Sequence, residues 1–158
     1  MSMINRVMVA MDVASMADEA REYAAEVAEK SKAELFIVNV INQVEIYALQ
    51  KVSKGLDSRA IEEYLKEERA TRFDHLKKVV NESSMPSELK KDVKIIIKQG
   101  VPFEQLLEVV KDEMIDLVII GQKGRSNLKD LLIGSTANHM YHRCKVPLMS
   151  IPVNWQKR

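Results

Sequence analysis

Three of the five glycines in this 158-residue sequence lie between residues 121 and 136, in the stretch GQKGRSNLKDLLIGST. Gly121 and Gly124 would permit a sharp turn and a close approach of backbone amides to an anion. Gly134 precedes Ser135 and Thr136, where a helix is predicted to begin. Unpaired N–H groups and the positive end of the helix dipole attract phosphate there. The residue types and their spacing therefore predict a loop that wraps a polyphosphate.

Two well-known phosphate-binding patterns do not describe this loop. It has no glycine-lysine-hydroxyl triplet of the Walker A type, and the G-x-G-x-x-G fingerprint belongs after the first strand of a sheet. A structural interpretation is open as well, in which the glycines only shape a tight turn. Lys123 would either neutralise phosphate charge or be a solvated loop residue, and the sequence does not decide between these roles.

Hydrophobic periodicity predicts the elements that position this loop. Continuous apolar runs, typical of strands buried on both faces, predict five strands at residues 6–11, 35–41, 93–97, 117–120 and 146–153. Apolar residues at three- and four-residue spacing predict four helices at about residues 15–31, 61–80, 102–110 and 135–143. Phe73 is placed on the inner face of the second helix, and residues 42–57 are interpreted as a loop or a short helix.

This alternation predicts a single α/β domain over residues 1–158, a three-layer doubly wound sandwich with a five-stranded parallel sheet of order 3-2-1-4-5 and four helices. Ligands of such sheets bind beyond the carboxyl ends of the strands, where neighbouring strands send their helices to opposite faces. Asp12 ends the first strand and Gly121 ends the fourth, so both turns are expected to border one crevice. Asp12 could bind a ribose hydroxyl, cap the first helix, or do both.

Composition narrows the classes of partner. Lys and Arg number 24 against 23 Asp and Glu, a net charge of +1, which predicts no nucleic acid and no anionic membrane as partner. Apolar runs fall short of the roughly 20 residues of a membrane span, and no signal peptide is recognised, so a cytoplasmic protein is expected. Cys144 is the single cysteine, and His139 and His142 lack a third ligand, so no metal site is assigned.

The spacing Gly121-x2-Gly124-x9-Gly134-Ser135 resembles the nucleotide motif of the ATP-binding branch of the universal stress protein family. The resemblance extends from VMVAMD, residues 7–12, to RCKVPLMSIP, residues 143–152. It implies an adenine-nucleotide α-hydrolase-like fold that binds ATP or another adenine nucleotide. Two residues depart from the pattern: Met11 is bulkier than the small polar residue of some ATP binders, and Ala137 lacks a hydroxyl sometimes found there.

Carried over by position, the resemblance implies three groups of contacts. Base and ribose contacts fall on Ala10, Met11, Asp12 and Val40. Phosphate contacts fall on Gly121, Gly124, Gly134, Ser135 and Thr136, and Ile120 and Lys123 occupy further pocket positions. Mg²⁺ or Mn²⁺ could accompany the phosphates near Asp12 and Ser135. Because the motif has no recognised general base, arginine finger or acidic metal pair, any ATP hydrolysis is expected to be slow.

The last predicted strand contains two prolines, which suits a sheet edge, but its other residues are apolar and would need cover. The resemblance implies a homodimer through this strand, with contributions from Val146, Leu148, Ile151 and Val153. Three hypotheses for function follow: a nucleotide-regulated stress-response dimer with unknown protein partners, a nucleotide-independent protein-interaction module of the same fold, and an enzyme that transfers an adenylyl unit. The last is disfavoured because no glycine-rich loop follows the first strand.

Overall fold

The computed structural model describes residues 3–11, 18–52, 57–121 and 135–152. Five strands pair in parallel in the order β3-β2-β1-β4-β5, which confirms the predicted sheet. Their bounds are β1 Arg6–Ala10, β2 Glu34–Asn42, β3 Lys94–Gly100, β4 Leu117–Gly121 and β5 Leu148–Ile151. The central strands are continuous apolar runs because helices cover both of their faces.

The described residues form six helices, so the prediction of four was wrong. They are α1 Asp18–Ser31, α2 Gln43–Val52, α3 Ser58–Glu82, α4 Ser87–Asp92, α5 Pro102–Asp112 and α6 Ser135–Arg143. Of the two additional helices, α2 lies within residues 42–57, for which the sequence predicts a loop or a short helix, and α4 is six residues long. Ile46 is the buried residue of α2, and none of the six residues of α4 is buried. No helix in the described parts of the chain is both long and apolar enough to cross a membrane.

Two hydrophobic cores lie on opposite faces of the sheet, because successive side chains of a strand point to opposite sides. One core combines alternate strand residues such as Val9 and Ile37 with Ala24 of α1 and Leu76 of α3. The other combines strand residues such as Met8 with residues of α5 and α6. The helix after β1 and the helix after β4 therefore lie on opposite faces.

The inner face of α3 differs from the prediction at one residue. Phe73, predicted to face the core, is 39% exposed, whereas the neighbouring Arg72 is 6% exposed. The buried residues of α3 are Leu65, Arg72, Leu76 and Val80. Consecutive residues of a helix are about 100° apart, so the inward position of Arg72 turns Phe73 towards solvent.

The amino-terminal edge of the sheet is held by charged groups. The Asp116 carboxylate accepts hydrogen bonds from the backbone N–H groups of Asn5 and Arg6 at 2.8 and 3.0 Å. Glu34 at the start of β2 forms ion pairs with Arg6 on β1 and with Lys94 on β3. Charges at this edge thus tie three neighbouring strands together, at the opposite end from the predicted ligand crevice.

Within the described sheet, β5 has a strand neighbour on one side, β4. Of the residues predicted to contribute to a dimer through this strand, Val146 and Leu148 are half-buried against the core beneath α5 and α6. Ile151 is 5% exposed and packs into the opposite core of its own chain. Val153 lies outside the described residues. The outer edge of β5 thus offers a partner mainly its backbone and the exposed Ser150.

Candidate functional site

The candidate site lies at the carboxyl edge of the sheet, where β1 and β4 end side by side. Their parallel register pairs Met8 with Val118 and Val9 with Ile119. One further step along the same register brings Ala10 level with Ile120. Because α1 and α6 leave these strands towards opposite faces, this edge is the topological switch point of the sheet, the usual ligand position in open α/β folds.

Several predicted site residues lie on one face of this edge. Ala10 and Val40 are half-buried against the core that contains Ile120, beneath α5 and α6. Ala137, in the first turn of α6, belongs to the same core. The first turn of α6 and the ends of β1, β2 and β4 therefore share one side of the sheet.

The start of α6 coincides with the predicted residue, Ser135. Ser135 is exposed and Thr136 is half-buried. The helix is fixed to the sheet by Met140, which is fully buried, and by a stack of His139 on Phe103 of α5 with ring centroids 4.3 Å apart. The N-terminus of a helix anchored in this way has backbone N–H groups that suit an anion.

The Met11 side chain lies on the other face of the sheet from the predicted site residues Ala10, Val40 and Ile120. Its side chain is 8% exposed and packs into the core on the α1 face. Its backbone N–H donates to the carbonyl of Val38 at 2.9 Å, extending the β1–β2 pairing by one bond. A ligand at this edge would therefore meet the backbone of Met11, and the bulk of the side chain is accommodated in the core.

The remaining predicted site residues, Asp12, Lys123, Gly124 and Gly134, lie outside the described residues. Their assignment stays a prediction from the sequence. Gly121 is described: it is half-buried, ends β4 and pairs with Ile151 of β5.

Two polar residues next to the site were missed by the sequence analysis, Asn39 and Arg72, which are 2% and 6% exposed. The Asn39 amide donates from Nδ2 to the carbonyl of Met11 at 2.7 Å. Its Oδ1 accepts from Nη1 of Arg72 at 3.1 Å. Both could have been noticed: Asn39 interrupts the apolar run of β2, and Arg72 stands in line with the buried residues of α3.

Arg72 also bonds to the carboxylates of Glu68 and Glu45 and to the backbone carbonyl of Val40 on β2. Its Nε donates to Glu68 at 2.6 Å and its Nη2 to Glu45 at 2.8 Å. Its Nη1 reaches the carbonyl of Val40 at 3.4 Å. Burial of the guanidinium opposes its charge, but the hydrogen bonds to Glu68 and Glu45 outweigh this and raise the pKa of Arg72. The side chain therefore remains a cation at any physiological pH.

In the described part of the chain, no group of three or more His, Cys, Asp or Glu residues is placed to bind a metal ion. Asp12, the acidic residue expected beside the phosphates, lies outside that part.

The sheet order and the switch point define a doubly wound α/β protein whose candidate ligand edge lies between β1 and β4. The model of the universal stress protein family matches residues 3–152, and this chain belongs to that family. The chain is 24% identical over 161 residues to universal stress protein MJ0577 of Methanocaldococcus jannaschii, covering 94% of this chain and 95% of the relative. The solved structure of MJ0577 has a TM-score of 0.72 at 23% identity and covers 99% of both chains.

Two further structures of similar fold were solved with nucleotides. A universal stress protein in complex with cAMP has a TM-score of 0.58 at 21% identity, covering 95% of this chain and 98% of its own. The universal stress protein of Archaeoglobus fulgidus in complex with dAMP has a TM-score of 0.52 at 16% identity, covering 94% and 98%. Both ligands are adenine nucleotides.

Proposed function

We propose that this chain binds ATP or another adenine nucleotide at the carboxyl edge between β1 and β4, and that nucleotide occupancy regulates a stress-response homodimer. The observation that carries the proposal is the placement of the first turn of α6 on the same side of the sheet as Ala10, Val40 and Ile120. An apolar strand edge suits a flat base, and a helix N-terminus suits phosphate. The nucleotides held by two relatives of similar fold support the choice of adenine.

Each part of the nucleotide has a proposed partner in the chain. Ala10 and Val40 are short side chains at strand ends and leave room for the base, with Ile120 as an apolar neighbour. Asp12 would accept hydrogen bonds from the ribose. The polyphosphate would be held by the loop with Gly121, Lys123, Gly124 and Gly134 and by the start of α6 with Ser135 and Thr136.

Mg²⁺ or Mn²⁺ would neutralise phosphate charge when bound with the nucleotide, beside Asp12 and Ser135. The chain's own contribution to chemistry is small, since the motif has no recognised general base. Regulation by occupancy is therefore proposed in preference to turnover, with slow hydrolysis at most. The dimer is proposed to form through β5, and the cytoplasm is the expected compartment.

Calorimetry with two ligands tests the site. Wild-type protein is expected to bind ATP with Mg²⁺ and, more weakly, adenosine. Gly124→Val would obstruct the approach of amides to phosphate, so ATP affinity should fall by about tenfold or more while adenosine affinity changes little. Ser135→Ala removes one hydrogen bond and should weaken ATP binding by roughly two- to tenfold.

The control is Ser87→Ala, the same change at the exposed first residue of α4, which should bind ATP like the wild type. Absence of heat from wild-type protein with both ligands would remove the nucleotide from the proposal. An equal loss of ATP and adenosine affinity in Gly124→Val would contradict the assignment of the glycine loop to phosphate.

One observation favours the second candidate, a nucleotide-independent interaction module. Helix α2 exposes apolar side chains, with Val44 at 69%, Tyr47 at 54% and Val52 at 86% exposure. Such residues on one short helix could contact another protein. Mass spectrometry of ligand released from freshly purified protein separates the candidates: an adenine nucleotide supports the regulated dimer, and its absence together with no heat in calorimetry supports the module.

A further inference from the structure

We propose that Arg72 is a positioning residue for the nucleotide site. Its guanidinium bonds directly to β2 near its carboxyl end, at Val40, and reaches the residue after β1, Met11, through the amide of Asn39. The role towards a ligand rests on the proposed function, whereas the effect on the strand ends can be measured without nucleotide. Arg72 touches neither base nor phosphate in this proposal and acts through the backbone at Met11 and Val40.

The geometry joins two positions, Met11 and Val40, to which the family resemblance assigns base and ribose contacts. Nη1 of Arg72 donates to the Val40 carbonyl at 3.4 Å and to the Asn39 Oδ1 at 3.1 Å. Nδ2 of Asn39 then donates to the Met11 carbonyl at 2.7 Å. One side chain of α3 therefore sets the backbone positions of Met11, just after β1, and of Val40, near the carboxyl end of β2, the residues against which the base would lie.

Arg72 also fixes the orientation of the Asn39 amide. An asparagine amide presents a donor at one end and an acceptor at the other, whereas a guanidinium only donates. The end of Asn39 that meets Arg72 must therefore be the oxygen, and the end that meets Met11 must be the nitrogen. The Met11 carbonyl favours the same orientation, because a flipped amide would place two acceptors together there, so Arg72 adds a second contact that selects it.

Burial of the Arg72 guanidinium costs it its hydration, and this cost argues for a role beyond stability. Arg72 occupies a position in line with Leu65, Leu76 and Val80, where an apolar side chain would pack without loss of hydration. Its partners Glu45 and Glu68 have side-chain exposures of 26% and 25%. A largely buried ion pair commonly stabilises a fold no better than well-packed apolar residues. What the charged group adds is directional hydrogen bonding at the strand ends.

Asn39→Asp is the discriminating variant, because it keeps the shape and the acceptor for Arg72 but replaces the donor to Met11 with an anionic oxygen. Hydrogen exchange of the Met11 amide, which bonds to Val38, is expected to be faster by roughly tenfold or more in nucleotide-free protein. Arg72→Met should have the same effect. The amide of Val9, deeper in β1, serves as the internal reference and should be unchanged in Asn39→Asp.

Affinity for ATP, measured by calorimetry on the same samples, should fall by about tenfold in both variants. Arg69→Met is the matched control, since Arg69 lies one turn away on α3 and bonds to Gln99 at the surface. A purely structural role predicts that affinity follows melting temperature, whereas the proposal predicts weak binding by Asn39→Asp even where its melting temperature matches the wild type.

The outcomes are separable. Wild-type exchange at Met11 in Asn39→Asp overturns the relay, whatever the ligand does. Faster exchange with unchanged ATP affinity overturns the positioning role. If wild-type protein binds no nucleotide, the proposed function fails, and exchange at Met11 alone decides whether Arg72 sets the end of β1.

Discussion

At the scale of single residues, polar side chains in this protein join neighbouring strands at both edges of the sheet. Asn39 joins the Met11 carbonyl to Arg72 at the carboxyl edge, and Glu34 joins Arg6 to Lys94 at the amino edge. The two edges differ in exposure: Asn39 is 2% exposed, whereas the side chain of Glu34 is 41% exposed. Loss of a partner should therefore cost more at the carboxyl edge, where water cannot replace it.

The amino edge yields a pH prediction. The hydrogen bond from Lys94, followed by that from Arg6, lowers the pKa of Glu34 despite partial desolvation. A lowered folded-state pKa gives stability that is present above the ordinary pKa of 4.5 and is lost as the pH falls through the folded-state value. Glu34→Gln is expected to cost less than about 1 kcal/mol at pH 7, because the pair is half exposed.

Urea unfolding at pH 7 and near pH 3 measures the difference in the free energy of unfolding between the wild type and Glu34→Gln. This difference should shrink towards zero at the lower pH. Glu63→Gln is the matched change in an exposed pair with Arg59 at 3.9 Å, and it should stay within about 0.5 kcal/mol of the wild type at both values. If Glu34→Gln lost the same free energy of unfolding at both pH values, the ionic role of Glu34 with Lys94 and Arg6 would be contradicted.

At the scale of elements, α6 connects the sheet core to the candidate phosphate end of the site. Its buried residues are Ala137 and Met140. On the neighbouring turns His139 stacks on Phe103, and Arg143 lies over the same ring at 5.0 Å from its centroid. The contacts that Met140, His139 and Arg143 make with the sheet and with α5 therefore fix the position of the whole helix, including its N-terminus.

Met140→Ala tests this anchoring. Removal of a fully buried methionine side chain is expected to cost about 2–5 kcal/mol in the free energy of unfolding, measured by urea denaturation. Hydrogen exchange in α6 should accelerate more than exchange in β2. Tyr141→Ala, at the adjacent residue with 71% exposure, should cost no more than about 0.5 kcal/mol. Similar losses in the two variants would mean that α6 is not held by its inner face.

The elements also show how far periodicity predicts a fold. The strands were predictable because continuous apolar runs mark strands that are buried on both faces, and α6 because its buried residues, Ala137 and Met140, recur at helical spacing. Helix α2 was predictable only as one of two alternatives, a loop or a short helix over residues 42–57, since its one buried residue, Ile46, sets no period. Phe73 was misplaced because an apolar residue was assumed to face the core, whereas the inward position belongs to the hydrogen-bonding Arg72.

At the scale of the whole molecule, the sheet presents two different surfaces, one where its strands end and one along its last strand. The carboxyl edge between β1 and β4 is the candidate ligand site, and β5 is an edge strand with a neighbour on one side in the described sheet. A second copy that pairs along β5 would cover the unpaired backbone of that edge. Ile151 would not face such a partner, because its side chain lies in the core of its own chain.

Light scattering at micromolar concentration is expected to give twice the chain mass of 18.0 kDa. Ser150→Lys places a charge at an exposed position of β5, on the strand that a second copy would have to cover, so it should shift the protein towards monomer. Ser87→Lys, the same change on the exposed start of α4, should remain dimeric. A monomeric wild type would remove the dimer from the proposed function.

The sequence by itself indicated the strand runs, the helix over residues 135–143 and the glycine spacing that identifies the family, because these depend on local rhythm and on residues close together in the chain. The strand order was predicted from the doubly wound class, since no local pattern encodes a pairing between residues as distant as Val7 and Leu117. Tertiary structure alone decided that Met11 points into the core, that Ile151 is interior, and that Arg72 and Asn39 control two strand ends. Arg72 and Asn39 are 33 residues apart. A hydrogen bond between them depends on how α3 packs against β2, and no local pattern encodes that distance.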